Sequence, residues 1–260
     1  MDWKTVSRFA FGLTFVGIGA IGLIGGGFAP TWRPVPDGVP GRDLLAWLSS
    51  LVSFGCGAGL LVRRSAASAA LILALFLAVW TLAFKMPFIV KAPLVEGSYQ
   101  SNGENWVLIA AAWVLYAELS KRRNFWSSER GLWLACGLYG LGLIAFGLSH
   151  FFYLDLTAPL VPAWLPAPVF WAYATGAIYT VCGVMLVVGL APRLAALGAA
   201  ANITLITVLV WGPMLIAGGL SVMHWQETVV SIGLMAASWV LASGSPPATG
   251  WLRRPSRPNR

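Results

Sequence analysis

Apolar positions in this chain run in blocks rather than in the short alternations of a soluble fold. No charged residue interrupts the stretch from Phe9 through Trp32, and none lies between Arg130 and Asp155. About 20 apolar residues rising ~1.5 Å each cross a hydrocarbon layer of ~30 Å. The pattern predicts eight such spans, near residues 8–28, 43–62, 65–88, 105–119, 131–152, 168–188, 193–215 and 225–243. The fold class is therefore all-α, a polytopic membrane helical bundle. The first block follows Lys4 and Arg8, as the core of a secretory leader would. Its apolar run is longer than a leader core, and the repeat described below requires it as a helix, so it reads as a retained span.

Composition strengthens this reading. Charged residues make up only 10% of the 260, against 58% hydrophobic, and mean hydropathy is +0.77. A soluble domain carries about 25% charged residues. The net charge of +8 would suit an acidic partner or nucleic acid if it were gathered in one patch, but it is distributed by topology. With the N-terminus inside, Lys4, Arg8, Arg63, Arg64, Lys121, Arg122, Arg123, Arg130, Arg193 and the four arginines of the tail face the cytoplasm, 13 of the 17 basic residues. Only Arg33, Arg42, Lys85 and Lys91 fall on the other side. That asymmetry is the positive-inside signal of a cell-membrane protein with both termini cytoplasmic, and it leaves no nucleic-acid footprint.

The chain also reads as one four-helix unit written twice. At a shift of 126 residues VPDGVP (35–40) meets VPAWLP (161–166), Cys56-Gly57 meets Cys182-Gly183, Thr81 meets Thr207, Pro87 meets Pro213, and WVL at 113–115 meets WVL at 239–241. Four spans per unit send both copies into the membrane in the same direction, as parallel repeats. The units are 1–120 and 131–243, joined by a basic linker at 121–130 and followed by a basic, Pro-rich tail at 244–260 that suits disorder or anionic headgroups. Glycines in the first and fifth spans suit close helix contact. Pro87 and Pro213, late in the third span of each unit, are expected to kink or end it.

The segment 147–203 resembles the DoxX family of four-span membrane proteins. The likeness is carried by G-x-x-H-F at the end of a span, the V-P-x-W-L-P loop, Tyr173 and Gly176 in the next span, and the single Arg193 before the third. It is close over about 131–243 and faint in the first unit, where Gly25 stands in place of His150 and Gly38 in place of Trp164. The resemblance implies a helical bundle. Because the family includes a subunit of a thiosulfate–quinone oxidoreductase, it also suggests quinone as a cofactor and an oxidoreductase subunit as a partner beside the lipid bilayer.

Candidate chemistry gathers at the outer end of the spans. His150, about 28 Å along its helix from Gly131, precedes Tyr153, Asp155 and Trp164, and together they make a candidate ligand or proton site, because histidine titrates near neutral pH and both donates and accepts. Glu104 and Glu227 each open the last span of a unit, where a carboxylate complements the positive helix end; if the units close together, they line one outer vestibule with His150. Glu96 and His224 share that face. The bland alternative is a capped helix end inside an aromatic belt.

Other chemistry finds less support. Two isolated histidines do not make a metal site. Cys56, Cys136 and Cys182 lack C-x-x-C spacing and read as packing residues. Every acidic residue lies near a span end, and Lys85 is expected to snorkel outward, which argues against a proton-driven pump, since charge at the bilayer centre costs ~3 kcal/mol or more. GAIGLIGGG (19–27) lacks the lysine of a phosphate loop. Two classes of function remain: a redox-associated membrane subunit contacting quinone or a partner oxidoreductase, or a non-enzymatic protein that binds or passes a small apolar solute.

Overall fold

The computed structural model describes residues 2–218 and 222–244, and every regular element among them is helical. The basic tail lies outside the described residues. Eight long helices follow one another: α1 (Trp3–Gly25), α2 (Arg42–Leu61), α3 (Ala66–Lys91), α4 (Glu96–Leu119), α5 (Glu129–Phe152), α6 (Pro168–Val188), α7 (Pro192–Ala217) and α8 (Val222–Gly244). Seven of them contain a stretch long and apolar enough to cross a membrane. The expected count of eight spans is not reached, because the N-terminal half of α4, EGSYQSNGEN, is too polar. The helix itself nonetheless begins nine residues before the sequence-based boundary of 105.

Local chemistry sets the helix ends. Asp2 accepts a hydrogen bond from the Thr5 amide at 2.8 Å, so α1 starts five residues earlier than expected. This brings Arg8 into the helix, where its buried guanidinium donates to the Leu60 carbonyl at 3.0 Å. Ser128 caps α5 through the Gly131 amide, and prolines open α6 and α7, where a missing N–H costs nothing.

Pro87 and Pro213 do not end their helices. Each follows a single wide π turn, Thr81–Lys85 in α3 and Thr207–Trp211 in α7, and the helix then resumes to Lys91 and Ala217. A proline ring would strike the carbonyl one turn back, and a π turn absorbs that conflict by displacing the carbonyl.

Packing joins α1 to α2, α2 to α3 and α3 to α4, and in the same order α5 to α6, α6 to α7 and α7 to α8; α4 then meets α5, α8 meets α1, and α4 and α8 touch in the middle. The tightest seams are glycine-lined. A Cβ on Gly57 would stand 2.7 Å from the Gly12 carbonyl, and one on Gly183 would stand 2.6 Å from the Gly140 carbonyl. In lipid such close van der Waals approach, rather than hydrophobic burial, holds helices together. Cys56, Cys136 and Cys182 are buried, and no disulfide joins them.

Candidate functional site

The α6–α7 seam holds a cavity of about 330 Å³ near the V-P-A-W-L-P loop. The loop folds over its mouth because Leu165 N–H bonds the Pro162 carbonyl at 2.9 Å and the Trp171 indole donates to the Pro166 carbonyl at 3.0 Å. Trp164 and Trp171 flank the opening, Ile178 and Ile206 line the walls, and Asn202 and Thr175 supply the polar atoms. Asn202 is 7% exposed, and its amide reaches the Thr175 carbonyl only at 3.5 Å. A weakly held amide in an apolar wall offers one donor and one acceptor to a ligand.

The α2–α3 seam, at a sequence shift of 126 residues, is packed with aromatic rings. There Phe76, Trp80 and Phe84 occupy the positions that correspond to Asn202, Ile206 and Val210, and Trp32 corresponds to Ala158. The Trp32 and Trp80 rings meet edge-on at 5.1 Å; the Trp32 indole donates to Ser53 Oγ at 2.9 Å, and Trp80 donates to the Trp32 carbonyl at 3.0 Å. Trp32 is 0% exposed.

The other residues singled out in the sequence are divided among several places. His150 sits late in α5 with its ring 6.0 Å from Tyr179 of α6 and its Cβ against Gly176; its Nδ1 is buried without a hydrogen-bond partner. One residue earlier, Ser149 Oγ donates to the buried Glu96 carboxylate at 2.7 Å, and the Tyr153 hydroxyl accepts from the Gly97 amide at 3.0 Å. Tyr153 thereby ties the end of α5 to the start of α4. Asp155 is exposed on the short helix Leu154–Thr157. Tyr173 stacks on Phe151 at 5.9 Å. Glu104 lies beside Lys85 of α3, whereas the His150 ring lies against Tyr179 of α6. Neither glutamate opens its helix: α4 begins at Glu96 and α8 at Val222, so Glu96 takes the first-turn place expected for Glu104.

Lys85 departs most from expectation. It does not snorkel outward; it is 0% exposed and closes the π turn of α3. Its ammonium donates to the Ser101 carbonyl and to Asn105 Oδ1, both at 3.0 Å, with a Glu104 carboxylate oxygen at 3.8 Å. Asn102 donates to the Lys85 carbonyl at 3.0 Å, and Asn105 donates to Thr81 Oγ at 2.9 Å. The polar half of α4 stays helical and buried because it satisfies this broken stretch of α3. The pairing was open to sequence reading: a lone lysine in the apolar run of α3 needed buried partners, and S-N-G-E-N at 101–105 supplied them.

These features define a polytopic helical membrane protein with a pocket in its α6–α7 seam. Residues 137–212 match the model of the DoxX family, so the chain is DoxX-like across that stretch, which holds His150 and every residue that lines the α6–α7 cavity. No curated protein and no solved structure matches the chain.

Proposed function

We propose that this DoxX-like protein binds a small, largely apolar solute carrying one hydrogen-bonding group, and that the α6–α7 cavity is its site. The observation that carries this reading is the contrast between the open seam at Asn202 and the aromatic-filled seam at Phe76 and Trp80. The cavity volume falls in the range of small-molecule sites, ~300–1,000 Å³, and access is from the loop that carries Trp164.

A redox-associated role, in contact with quinone or a partner oxidoreductase, is the second reading. It rests on the DoxX likeness, and the two indoles and single amide of the pocket suit a flat ring bearing a carbonyl. His150, Tyr153, Asp155, Glu104 and Glu227 are proposed as outer-face groups that shape or tune access to the site. A duplicated origin for 1–120 and 131–243 is supported by the paired π turns before Pro87 and Pro213. Cytoplasmic termini in the cell membrane are supported by the Lys4–Glu118 ion pair, which holds the N-terminus at the end of the bundle where Lys121, Arg122 and Arg123 emerge.

Asn202→Phe tests the site, because phenylalanine already occupies the corresponding position 76. Purified protein in lipid nanodiscs, titrated with a one-isoprene benzoquinone and with redox-inert menthol, is expected to bind at least one of them saturably. The variant should fold normally and bind at least tenfold more weakly. Saturable binding of the quinone alone favours the redox reading, whereas binding of both favours general solute binding. Unchanged affinity in Asn202→Phe, or no binding to the wild type, overturns the assignment.

A further inference from the structure

A second cavity, of about 690 Å³, opens between α3, α4 and α5 on the opposite seam of α3, separate from the proposed solute pocket. Its upper walls are aliphatic, with Leu75, Ala78 and Leu82 of α3 facing Trp106 and Ile109 of α4. Its lower end is polar and basic, bounded by Tyr116, Arg122, Asn124 and Trp126. That lower end is held in shape. The Trp113 indole donates to the Trp126 carbonyl at 2.8 Å with the two rings 5.0 Å apart, and Asn124 donates to the Tyr116 hydroxyl at 2.9 Å. Asn124 and Ser127 cap each other's amides, and Ser127 Oγ also donates to the Arg122 carbonyl at 2.8 Å. The linker backbone is therefore folded against the bundle, with Arg122 at the cavity mouth.

The Arg122 guanidinium makes no hydrogen bond and no ion pair with any described residue. Lys121 and Arg123 flank it in sequence. From Tyr116 to Trp106 the groove runs about 15 Å along α4, half of a ~30 Å hydrocarbon core. One end thus lies at headgroup level and the other near mid-membrane, which is the reach of a lipid from a single leaflet. An unpaired guanidinium recognises phosphate through parallel N–H donors, and basic residues next to a span attract anionic lipid.

We propose that this groove is a binding site for one anionic phospholipid of the leaflet on the linker side, with its phosphate on Arg122 and an acyl chain along Leu75, Ala78 and Trp106. The lipid fastens the linker to the α3–α4–α5 wall and so couples the first four helices to the second four.

Native mass spectrometry of the full chain, released from micelles containing equal phosphatidylglycerol and phosphatidylcholine, tests the site. Wild type is expected to retain one phosphatidylglycerol with at least tenfold preference. Arg122→Gln should lose the preference. Ala78→Trp, which fills the groove far from the charge, should lose retention altogether while Arg122 stays in place. Asn202→Phe should retain the lipid as wild type does, keeping this outcome separate from that of the solute pocket. Equal retention of both lipids by wild type, or wild-type retention by either groove variant, overturns the proposal. So does an equal loss in Lys121→Gln, which would mark a general charge effect without a site.

Discussion

The α2–α3 and α6–α7 seams join helices of similar length, and α3 and α7 carry the same π turn ahead of a proline, yet one is core and the other is a cavity. The difference lies in side-chain volume at a few positions. Trp32, Phe76, Trp80 and Phe84 fill the first seam, while Ala158, Asn202, Ile206 and Val210 leave the second open. A backbone arrangement thus permits a pocket, and the residues facing it decide whether one exists. The two π turns make the same point in polar form: Lys85 closes the first with buried hydrogen bonds, and Trp211 stands at the corresponding place in the second.

The contrast can be broken most severely at Trp80. Trp80→Ala should cost about 3–5 kcal/mol, because it removes a buried ring together with its bond to the Trp32 carbonyl, and it should open the first seam. Unfolding in a fixed detergent measures the loss. A midpoint equal to wild type would show that the aromatic plug does not hold α2 to α3.

Lys85→Met comes next, at about 3 kcal/mol. Methionine keeps much of the volume but leaves Asn105 and Glu104 without their cation, so the π turn of α3 loses the partner that fastens it to α4. Hydrogen exchange should rise around residues 81–91 and stay unchanged around 207–217. Equal change in both turns would mean the lysine is not specific to the first.

Trp164→Ala is the mildest change. The side chain is 68% exposed, so stability should shift by less than about 0.5 kcal/mol. Solute affinity should fall by about 1 kcal/mol, or roughly fivefold, if the indole covers the pocket. An affinity matching wild type would move the entrance away from the V-P-A-W-L-P loop.

The helical membrane class was legible without coordinates, because a bilayer tolerates only long apolar stretches whose backbone hydrogen bonds are satisfied internally. The DoxX likeness was legible too, since it rests on prolines, glycines and tryptophans that stand out in an apolar chain. Charge placement was less legible. Distance from a span end made Lys85 look able to reach water, yet burial depends on which helix lies alongside, and α4 presents Ser101, Glu104 and Asn105 to it. Tertiary structure also decided that His150 faces Tyr179 while Glu104 turns to Lys85, because a residue's position along a helix does not state which way it points. The pocket itself could be decided only in three dimensions. Its walls come from Trp164, Ile178 and Asn202, separated in sequence and brought together by packing, and its emptiness is a difference of volume that no single residue carries.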